Sequence, residues 1–287
     1  MENAIARYAS LVKFSHTIFA MPFALLAYVY ALTSNSIPFE WLLLVKILLC
    51  MVFARNAAMG FNRWADRDID AANPRTAGRE IPSGKISPRA ALVFVIVNSL
   101  LFVAVAWWIN TLAGALSPLA LAVLLGYSCM KRFSSWPHLV LGLALGIAPV
   151  GAYIAVTGTF ALFPIILAVT VLTWTGGFDI LYALQDADFD RTHGVHSVPA
   201  RFSTMQSTYI SIGLHIVSIA GVIVIGTRFG LHWLYWTGTA LFTAILVMQH
   251  ILYRPSRIDR IGATFGLVNG LASVTYSAFA IADILIF

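Results

Sequence analysis

Long apolar stretches alternate with short polar connections along nearly the whole chain. A helix needs about 20 consecutive apolar residues to cross the hydrocarbon core of a bilayer. By this criterion the sequence predicts nine transmembrane helices, and several of the connections are so short that neighbouring helices must run antiparallel. The predicted spans cover about residues 15–33, 41–62, 89–109, 113–130, 138–156, 160–183, 205–227, 231–253 and 262–286.

The composition favours an integral membrane protein over a soluble domain with a large core. Of the 287 residues, 60% are apolar and only 10% are charged, whereas an average soluble domain is about 25% charged. We therefore predict an all-α fold in which residues 1–287 form a single transmembrane domain embedded in a lipid bilayer.

Basic residues are concentrated on one side of the predicted membrane. Most of the 18 Lys and Arg residues fall before span 1 or after spans 2, 4, 6 and 8. The net charge of +6 therefore comes mainly from loops on one side of the predicted membrane, and we expect no nucleic-acid partner. Because positively charged loops stay inside, the sequence predicts a multi-pass protein of the inner (plasma) membrane with a cytoplasmic N-terminus and an external C-terminus.

The polar segment after the second span, FNRWADRDIDAANPRTAGREIPSG at residues 61–84, contains closely spaced acids and arginines. Asn62, Asp66 and Asp70 are four residues apart and fall within roughly 80° on one face of a helix. Asp68 points away from that face. Three polar oxygen-bearing side chains on one helical face are compatible with a binding site and equally with a solvated, salt-bridged loop.

A second acidic segment follows the sixth span, with the sequence FDILYALQDADFDRTHGVHS at residues 178–197. Asp179, Asp186 and Asp190 again share one helical face, over roughly 60°. Asp188 falls off this face, as Asp68 does in the first segment.

The two acidic segments occupy matching places in the predicted topology. Spans 2 and 6 are both even-numbered, so both end in the cytoplasm, four spans apart. This weak repeat predicts two four-helix units plus a ninth helix.

In the first segment Pro74 should end the helix and leave Asn73 extended. In the second, Tyr182 lies at the border of the acidic face.

Carboxylates that share a face repel one another unless positive charge neutralises them. Salt bridges to the arginines of a solvated loop are one explanation. Divalent cations are the other, because one or two carboxylates with water and phosphate are typical of a Mg²⁺–diphosphate site. In that case nearby basic residues could hold phosphate oxygens, the candidates being Arg75, Arg79, Lys131, Arg132 and Arg191.

These motifs resemble those of a known family. N-x-x-x-D-x-x-x-D ending in NPRTAGREIPSG, with a later D-x-x-Y-A-x-x-D-x-x-x-D, is similar to the UbiA superfamily of intramembrane aromatic prenyltransferases over nearly the whole chain. LVKFSHTIFAMPFALLAY and YSCMKRFSSWPHLVLGLALGIAPVGAYIA resemble the branch that prenylates 4-hydroxybenzoate or a related aromatic acid in ubiquinone or menaquinone synthesis. Arg63 stands where many members have an Asp after the first Asn, which removes one possible metal ligand.

The resemblance implies a mechanism and its residues. A polyprenyl diphosphate binds with its head on Mg²⁺, and an aromatic acid attacks the allylic cation that forms when the C–O bond breaks. The helices would surround a central cavity that opens to the cytoplasmic side and to lipid. Asn62, Asp66 and Asp70 are implied to bind one Mg²⁺, Asp186 and Asp190 a second, and Lys131 matches the family's basic residue after the fourth helix.

Two further residues are candidates for the aromatic acceptor. Arg55 lies within span 2, about 20° from Asn62 on the helical wheel, at a depth where a charge usually faces a cavity or a partner. It could hold the acceptor's carboxylate or form a structural ion pair. Asp179 could orient Tyr182 or a ligand, act as a base for a phenol, or be a buried hydrogen-bonded acid. The histidines form no metal-ligand pattern, and His138 is interpreted as an isolated polar group with its own partners.

Other functions remain open from the sequence. A divalent-cation or proton transporter also uses intramembrane acids, although its acids should lie near the midplane and away from arginines. Lipid-headgroup phosphotransferases use Asp clusters with Mg²⁺, but in one motif rather than two. Within the prenyltransferase reading, 4-hydroxybenzoate and a dihydroxynaphthoate of menaquinone synthesis are both suitable acceptors.

Overall fold

The computed structural model describes residues 4–12, 19–252 and 261–287, which form helices joined by short connections and contain no strand. The all-α prediction is confirmed for this part of the chain. A short 3₁₀ turn, Leu184–Asp186, joins two of the helices. In chain order the α-helices are α1 (Ala4–Leu11), α2 (Met21–Ser34), α3 (Trp41–Ala65), α4 (Arg67–Ala72), α5 (Pro88–Ile109), α6 (Thr111–Met130), α7 (Pro137–Thr157), α8 (Leu162–Ala183), α9 (Ala187–Thr192), α10 (Val198–Arg201), α11 (Thr204–Arg228), α12 (Trp233–Leu252) and α13 (Ile261–Ile286).

Seven of the described helices are long and apolar enough to cross a membrane, namely α3, α5, α6, α7, α8, α11 and α13. The prediction of a multi-pass membrane protein is therefore confirmed. The other two predicted spans, 15–33 and 231–253, correspond to α2, with 14 residues, and α12, with 20 residues. The predicted span 15–33 begins outside the described residues, and the count of nine spans stays a prediction.

The chain divides into two compact units that differ from the predicted pair of four-helix units. Unit 1 contains 1–17 and 41–129, and unit 2 contains 18–40 and 130–287. The first apolar helix, α2, belongs to unit 2 because its aromatic side chains pack there. The ring of Phe23 lies 5.3 Å from that of Trp174 on α8 and 6.0 Å from that of Tyr276 on α13, centroid to centroid.

In unit 1, α3 packs along α5 through small and polar side chains. Asn56 Nδ2 donates to Asn98 Oδ1 across the two helices, at 3.0 Å. Gly60 lies so close to α5 that a Cβ atom there would come within 3.0 Å of Val95 Cγ2. These contacts fix the C-terminal end of α3, from which the first acidic segment continues.

In unit 2, α7 and α8 approach closely along a stripe of glycines. A Cβ at Gly142 would lie 2.2 Å from the Leu172 carbonyl oxygen, and one at Gly146 would lie 2.7 Å from that of Ala168. Only glycine permits this approach, since any side chain would force the helices apart. The close packing places the start of α7 beside the C-terminal half of α8, where the second acidic segment begins.

Candidate active site

The first acidic segment is a helix that breaks at Asp66 and then resumes. Helix α3 ends at Ala65, Asp66 has φ −92° and ψ 3°, and α4 starts at the next residue. The i→i−4 hydrogen bonds nevertheless continue, from Asp66 N to Asn62 O at 2.9 Å and from Asp70 N to Asp66 O at 2.7 Å. The predicted spacing of the three side chains therefore survives the break.

On this face Asp66 and Asp70 are buried, Asn62 is half-buried, and all three side chains take part in hydrogen bonds. Asn62 Nδ2 donates to Asp66 Oδ2 at 2.8 Å, and Arg79 Nη1 donates to Asp70 Oδ1 at 2.7 Å. Both aspartates are almost inaccessible, whereas the side chain of Asp68 is 84% exposed. The prediction that Asp68 lies off the acidic face is therefore confirmed.

The loop after α4 folds back onto the acidic face. The helix ends before Pro74, with Asn73 at φ −90° and ψ 117°, as predicted from the proline. Thr76 Oγ1 donates to the Asp70 carbonyl at 3.0 Å, which turns the chain so that Arg79 reaches the Asp70 carboxylate. Arg75, by contrast, is exposed at the surface of this loop.

The second acidic segment repeats the same local design in unit 2. Helix α8 gives way to the 3₁₀ turn, Asp186 has φ −104° and ψ 2°, and α9 starts at Ala187. Asp190, four residues later, is buried and accepts a hydrogen bond from Ser197 Oγ at 2.8 Å. Asp188 is 99% exposed. In both segments, then, one aspartate precedes a six-residue helix and another is buried within it.

Asp179 has a partner that the sequence did not reveal. His138, buried at the start of α7, places Nδ1 2.7 Å from Asp179 Oδ2. The two residues are 41 positions apart, so no local spacing could indicate the pair, which the glycine contacts between α7 and α8 bring together. His138 has hydrogen-bond partners, as the sequence predicted, but it contacts a candidate site residue and is not isolated.

The predicted basic residues are placed very differently from one another. Arg55 is half-buried in α3, with Nη2 3.5 Å from the Val12 carbonyl oxygen. Arg191 donates to three main-chain carbonyls, those of Pro199 at 2.7 Å, Ala200 at 3.2 Å and Phe202 at 3.1 Å. Arg191 therefore holds α10 in position, a role that the sequence did not predict.

The remaining candidates lie at or just beyond the C-terminal ends of α6 and α8. The main chain of Lys131 accepts a hydrogen bond from His196 N at 2.8 Å. Arg132 is exposed and Tyr182 is half-buried at the C-terminal end of α8. Arg63, which replaces an acid found in many members of the family it resembles, is buried in α3.

The donor atoms suit a hard divalent cation. Asp70 Oδ2 is buried and has no hydrogen-bond partner among the described residues, and an unsatisfied buried carboxylate oxygen is costly. Within that same part of the chain, no group of three or more His, Cys, Asp or Glu side chains is placed to hold a metal ion. Mg²⁺ does not need such a group, because it usually takes one or two carboxylates and keeps water or phosphate in its other positions.

The chain is similar over most of its length to proteins of one family. The model of the UbiA prenyltransferase family matches residues 20–273. A 4-hydroxybenzoate octaprenyltransferase of Aliivibrio fischeri is 31% identical over 250 residues, which is 86% of each chain. The enzyme of the same name from Photobacterium profundum is 35% identical over 213 residues, or 73% of this chain and 72% of the relative.

Solved structures agree with this result. The apo structure of a UbiA homologue from Aeropyrum pernix K1 superposes with a TM-score of 0.83 at 33% identity, and it covers 93% of this chain and 98% of its own. A UbiA homologue from Archaeoglobus fulgidus, solved with GPP and Mg²⁺, gives a TM-score of 0.70 at 19% identity and covers 98% of this chain and all of its own, 100%. The second likeness concerns the fold alone.

Proposed function

Because this chain belongs to the UbiA prenyltransferase family, we propose that it transfers a polyprenyl group from a polyprenyl diphosphate to the ring of an aromatic acid such as 4-hydroxybenzoate, in quinone biosynthesis. Membership of the family makes it a prenyltransferase; the donor, the acceptor and the residue roles are the proposal. One observation carries the proposal: a helix breaks at an aspartate and buries a second aspartate four residues later, and this design occurs twice.

We propose that Asn62, Asp66 and Asp70 hold one Mg²⁺ ion and that Asp186 and Asp190 hold a second. The buried Asp70 Oδ2 supports this role, because a cation would satisfy an oxygen that has no hydrogen-bond donor among the residues that the structure describes. When bound, Mg²⁺ neutralises the negative charge that develops on the diphosphate as its bond to the prenyl carbon breaks. The carboxylates of this chain hold the ions and so orient the diphosphate head.

Basic residues complete the proposed diphosphate site, and we assign Arg75, Arg79, Lys131, Arg132 and Arg191 to phosphate oxygens. Arg79 pairs with Asp70 in this structure, so binding would exchange that carboxylate for a phosphate. Arg191 contacts the carbonyls of α10 through Nε and Nη2, and its Nη1, now 3.3 Å from Asp188 Oδ1, is the nitrogen that we assign to a phosphate oxygen.

For the acceptor, we propose that Arg55 binds the carboxylate of the aromatic acid and that Asp179 and Tyr182 contact its hydroxyl. The half-buried guanidinium of Arg55 supports the first role, because a positive charge within a membrane helix usually has a partner. Asp179 uses Oδ2 for His138, and its side chain is 24% exposed. A hydroxyl group could therefore reach this carboxylate, either as a hydrogen-bond donor or to give up its proton.

The membrane topology is also a proposal. We infer nine spans in a single domain, 1–287, with the N-terminus in the cytoplasm, the C-terminus outside and the active face towards the cytoplasm of an inner membrane. The one-sided placement of basic loops supports this orientation. Helices α2 and α12 would supply the two spans beyond the seven that meet the length and hydropathy requirement.

The direct test is product analysis with the full-length chain in lipid. Incubation with geranyl diphosphate, Mg²⁺ and 4-hydroxybenzoate should release diphosphate and yield a ring-prenylated acid, measured by mass spectrometry. A parallel reaction with a dihydroxynaphthoate decides between the two acceptors. Failure to prenylate either acid, together with Mg²⁺ or proton flux through vesicles that contain the protein, would favour the transporter instead.

The Arg55→Ala variant should raise the KM for the aromatic acid about ten- to a hundredfold, because hydrogen bonds to a charged group contribute about 1.5–3 kcal/mol. The KM for the prenyl diphosphate should change little. Lys46→Ala is the matched control, since Lys46 is a positive charge on the same helix that donates to the Trp108 carbonyl. Equal changes in both KM values would contradict the proposed role of Arg55.

A further inference from the structure

His138 is held by hydrogen bonds at both ring nitrogens. Its Nδ1 lies 2.7 Å from Asp179 Oδ2, and its Nε2 lies 3.3 Å from the main-chain nitrogen of Val198. The Val198 N–H can only donate, so Nε2 must accept and Nδ1 must carry the hydrogen. With both nitrogens engaged, the ring donates from Nδ1 to Asp179 and orients that carboxylate.

The residue next to Val198 contacts the second acidic segment. Ser197 Oγ donates to Asp190 Oδ2 at 2.8 Å and accepts from Ala200 N at 3.2 Å as the N-cap of α10. Two consecutive residues at the start of α10 thus reach Asp190 on one side and His138 on the other. Three hydrogen bonds and the peptide bond between Ser197 and Val198 therefore join Asp190 to Asp179 through His138.

Other main-chain contacts hold α10 in place. His196 N donates to the Lys131 carbonyl at 2.8 Å, just before the N-cap of the helix. At the other end, Arg191 donates to the carbonyls of Pro199, Ala200 and Phe202. A four-residue helix rarely keeps its place by itself, so these contacts make α10 a rigid support for the side chains it touches.

We propose that His138 is a positioning residue that sets the direction of the Asp179 carboxylate and, through Val198 and Ser197, that of Asp190. This inference rests on the proposed function, in which Asp190 holds Mg²⁺ and Asp179 contacts the acceptor. Groups that hydrogen-bond to metal-ligating carboxylates fix their orientation, and their loss typically lowers metal affinity or activity about 10- to 100-fold. One imidazole thus supports both the metal ligand and the acceptor-binding acid.

Two His138 variants in the full-length chain test the inference. His138→Ala removes both hydrogen bonds, whereas His138→Gln keeps one donor and one acceptor on a single planar group. The first measurement is the affinity for Mn²⁺, used in place of Mg²⁺, by electron paramagnetic resonance without substrates. The second is steady-state kinetics, which gives kcat and the KM for the acceptor. His138→Ala should weaken Mn²⁺ binding about tenfold or more and raise the acceptor KM, and His138→Gln should recover most of both losses. Equal losses in the two variants would show that the ring only fills space.

Ser197→Gly tests the link to Asp190 separately from the link to Asp179. It also replaces His138→Ala as the test if that variant does not fold. Glycine is nearly as good an N-cap as serine, so α10 should persist while the hydrogen bond to Asp190 is lost. Mn²⁺ affinity should fall about tenfold with the acceptor KM unchanged, because Val198, His138 and Asp179 keep their contacts. Unchanged Mn²⁺ affinity would overturn the link to Asp190. An unsubstituted protein that binds Mn²⁺ but transfers no prenyl group contradicts only the proposed function; one that binds no Mn²⁺ overturns both.

Discussion

Replacement of Asp66 by asparagine is expected to lower kcat/KM about 100- to 1,000-fold, the range seen when an enzyme loses one charge-stabilising group. The Asp66→Asn variant keeps the size of the side chain and an oxygen that can accept from Asn62 Nδ2, so the main change is the lost negative charge. The measurement is diphosphate release and ring prenylation by the purified full-length chain at saturating Mg²⁺.

Asp68→Asn is the matched control for this substitution. It changes the same charge two residues away, on a side chain that is 84% exposed and lies 3.6 Å from Arg67. Exposed ion pairs of this kind contribute little, about 0–1 kcal/mol, so activity should stay close to that of the unsubstituted protein. If both variants lose activity equally, the general charge of the segment matters and the proposed metal-binding face does not.

Thermal unfolding distinguishes the metal site from its structural alternative. In the metal-free protein Asp70→Asn should lower the melting temperature under either hypothesis, because Arg79 loses its carboxylate partner. The two hypotheses differ in the effect of added Mg²⁺. If Asp70 is a metal ligand, the variant should also lose the stabilisation that Mg²⁺ gives to the unsubstituted protein, whereas if the acids only form salt bridges, Mg²⁺ should stabilise neither protein.

The acidic faces could be predicted from the sequence because they depend on local helix geometry. Residues four apart stay aligned wherever i→i−4 hydrogen bonds continue, as they do from Asn62 to Asp70. Pro74 marks the end of α4 for an equally local reason. The break at Asp66 could not be predicted in this way. No proline or glycine marks it, and the helical spacing of the residues on either side is the same as in an unbroken helix.

The parts that could not be predicted depend on contacts between distant segments. His138 and Asp179 meet because Gly142 and Gly146 let α7 lie against the main chain of α8. In the sequence Arg191 is a positive charge next to an acidic motif, but in the structure it donates hydrogen bonds to the carbonyls of α10. The predicted grouping of the first four spans missed the aromatic contacts of α2 for the same reason. Spacing shows which side chains share a face, but it does not show which partner covers them.

Removal of divalent ions should abolish turnover, and this is the largest effect we expect. Chelation with EDTA should stop both diphosphate release and prenylation, and excess Mg²⁺ should restore them. Ca²⁺ should restore less, because it prefers more ligands and longer, less regular bonds than the octahedral Mg²⁺. Without the ions, the buried aspartates and the diphosphate would bring like charges together, which is unfavourable.

A binding measurement makes this last prediction independent of catalysis. A ligand that binds only the folded protein stabilises it by about 2.7 kcal/mol at 100 times its dissociation constant, so Mg²⁺ with an unreactive diphosphate should raise the melting temperature. Asp186→Asn should remove most of that rise, whereas Asp188→Asn, at a side chain that is 99% exposed, should keep it. Full turnover in the presence of EDTA would mean that the two acidic segments are neutralised by arginines such as Arg79, and that the metal assignment is wrong.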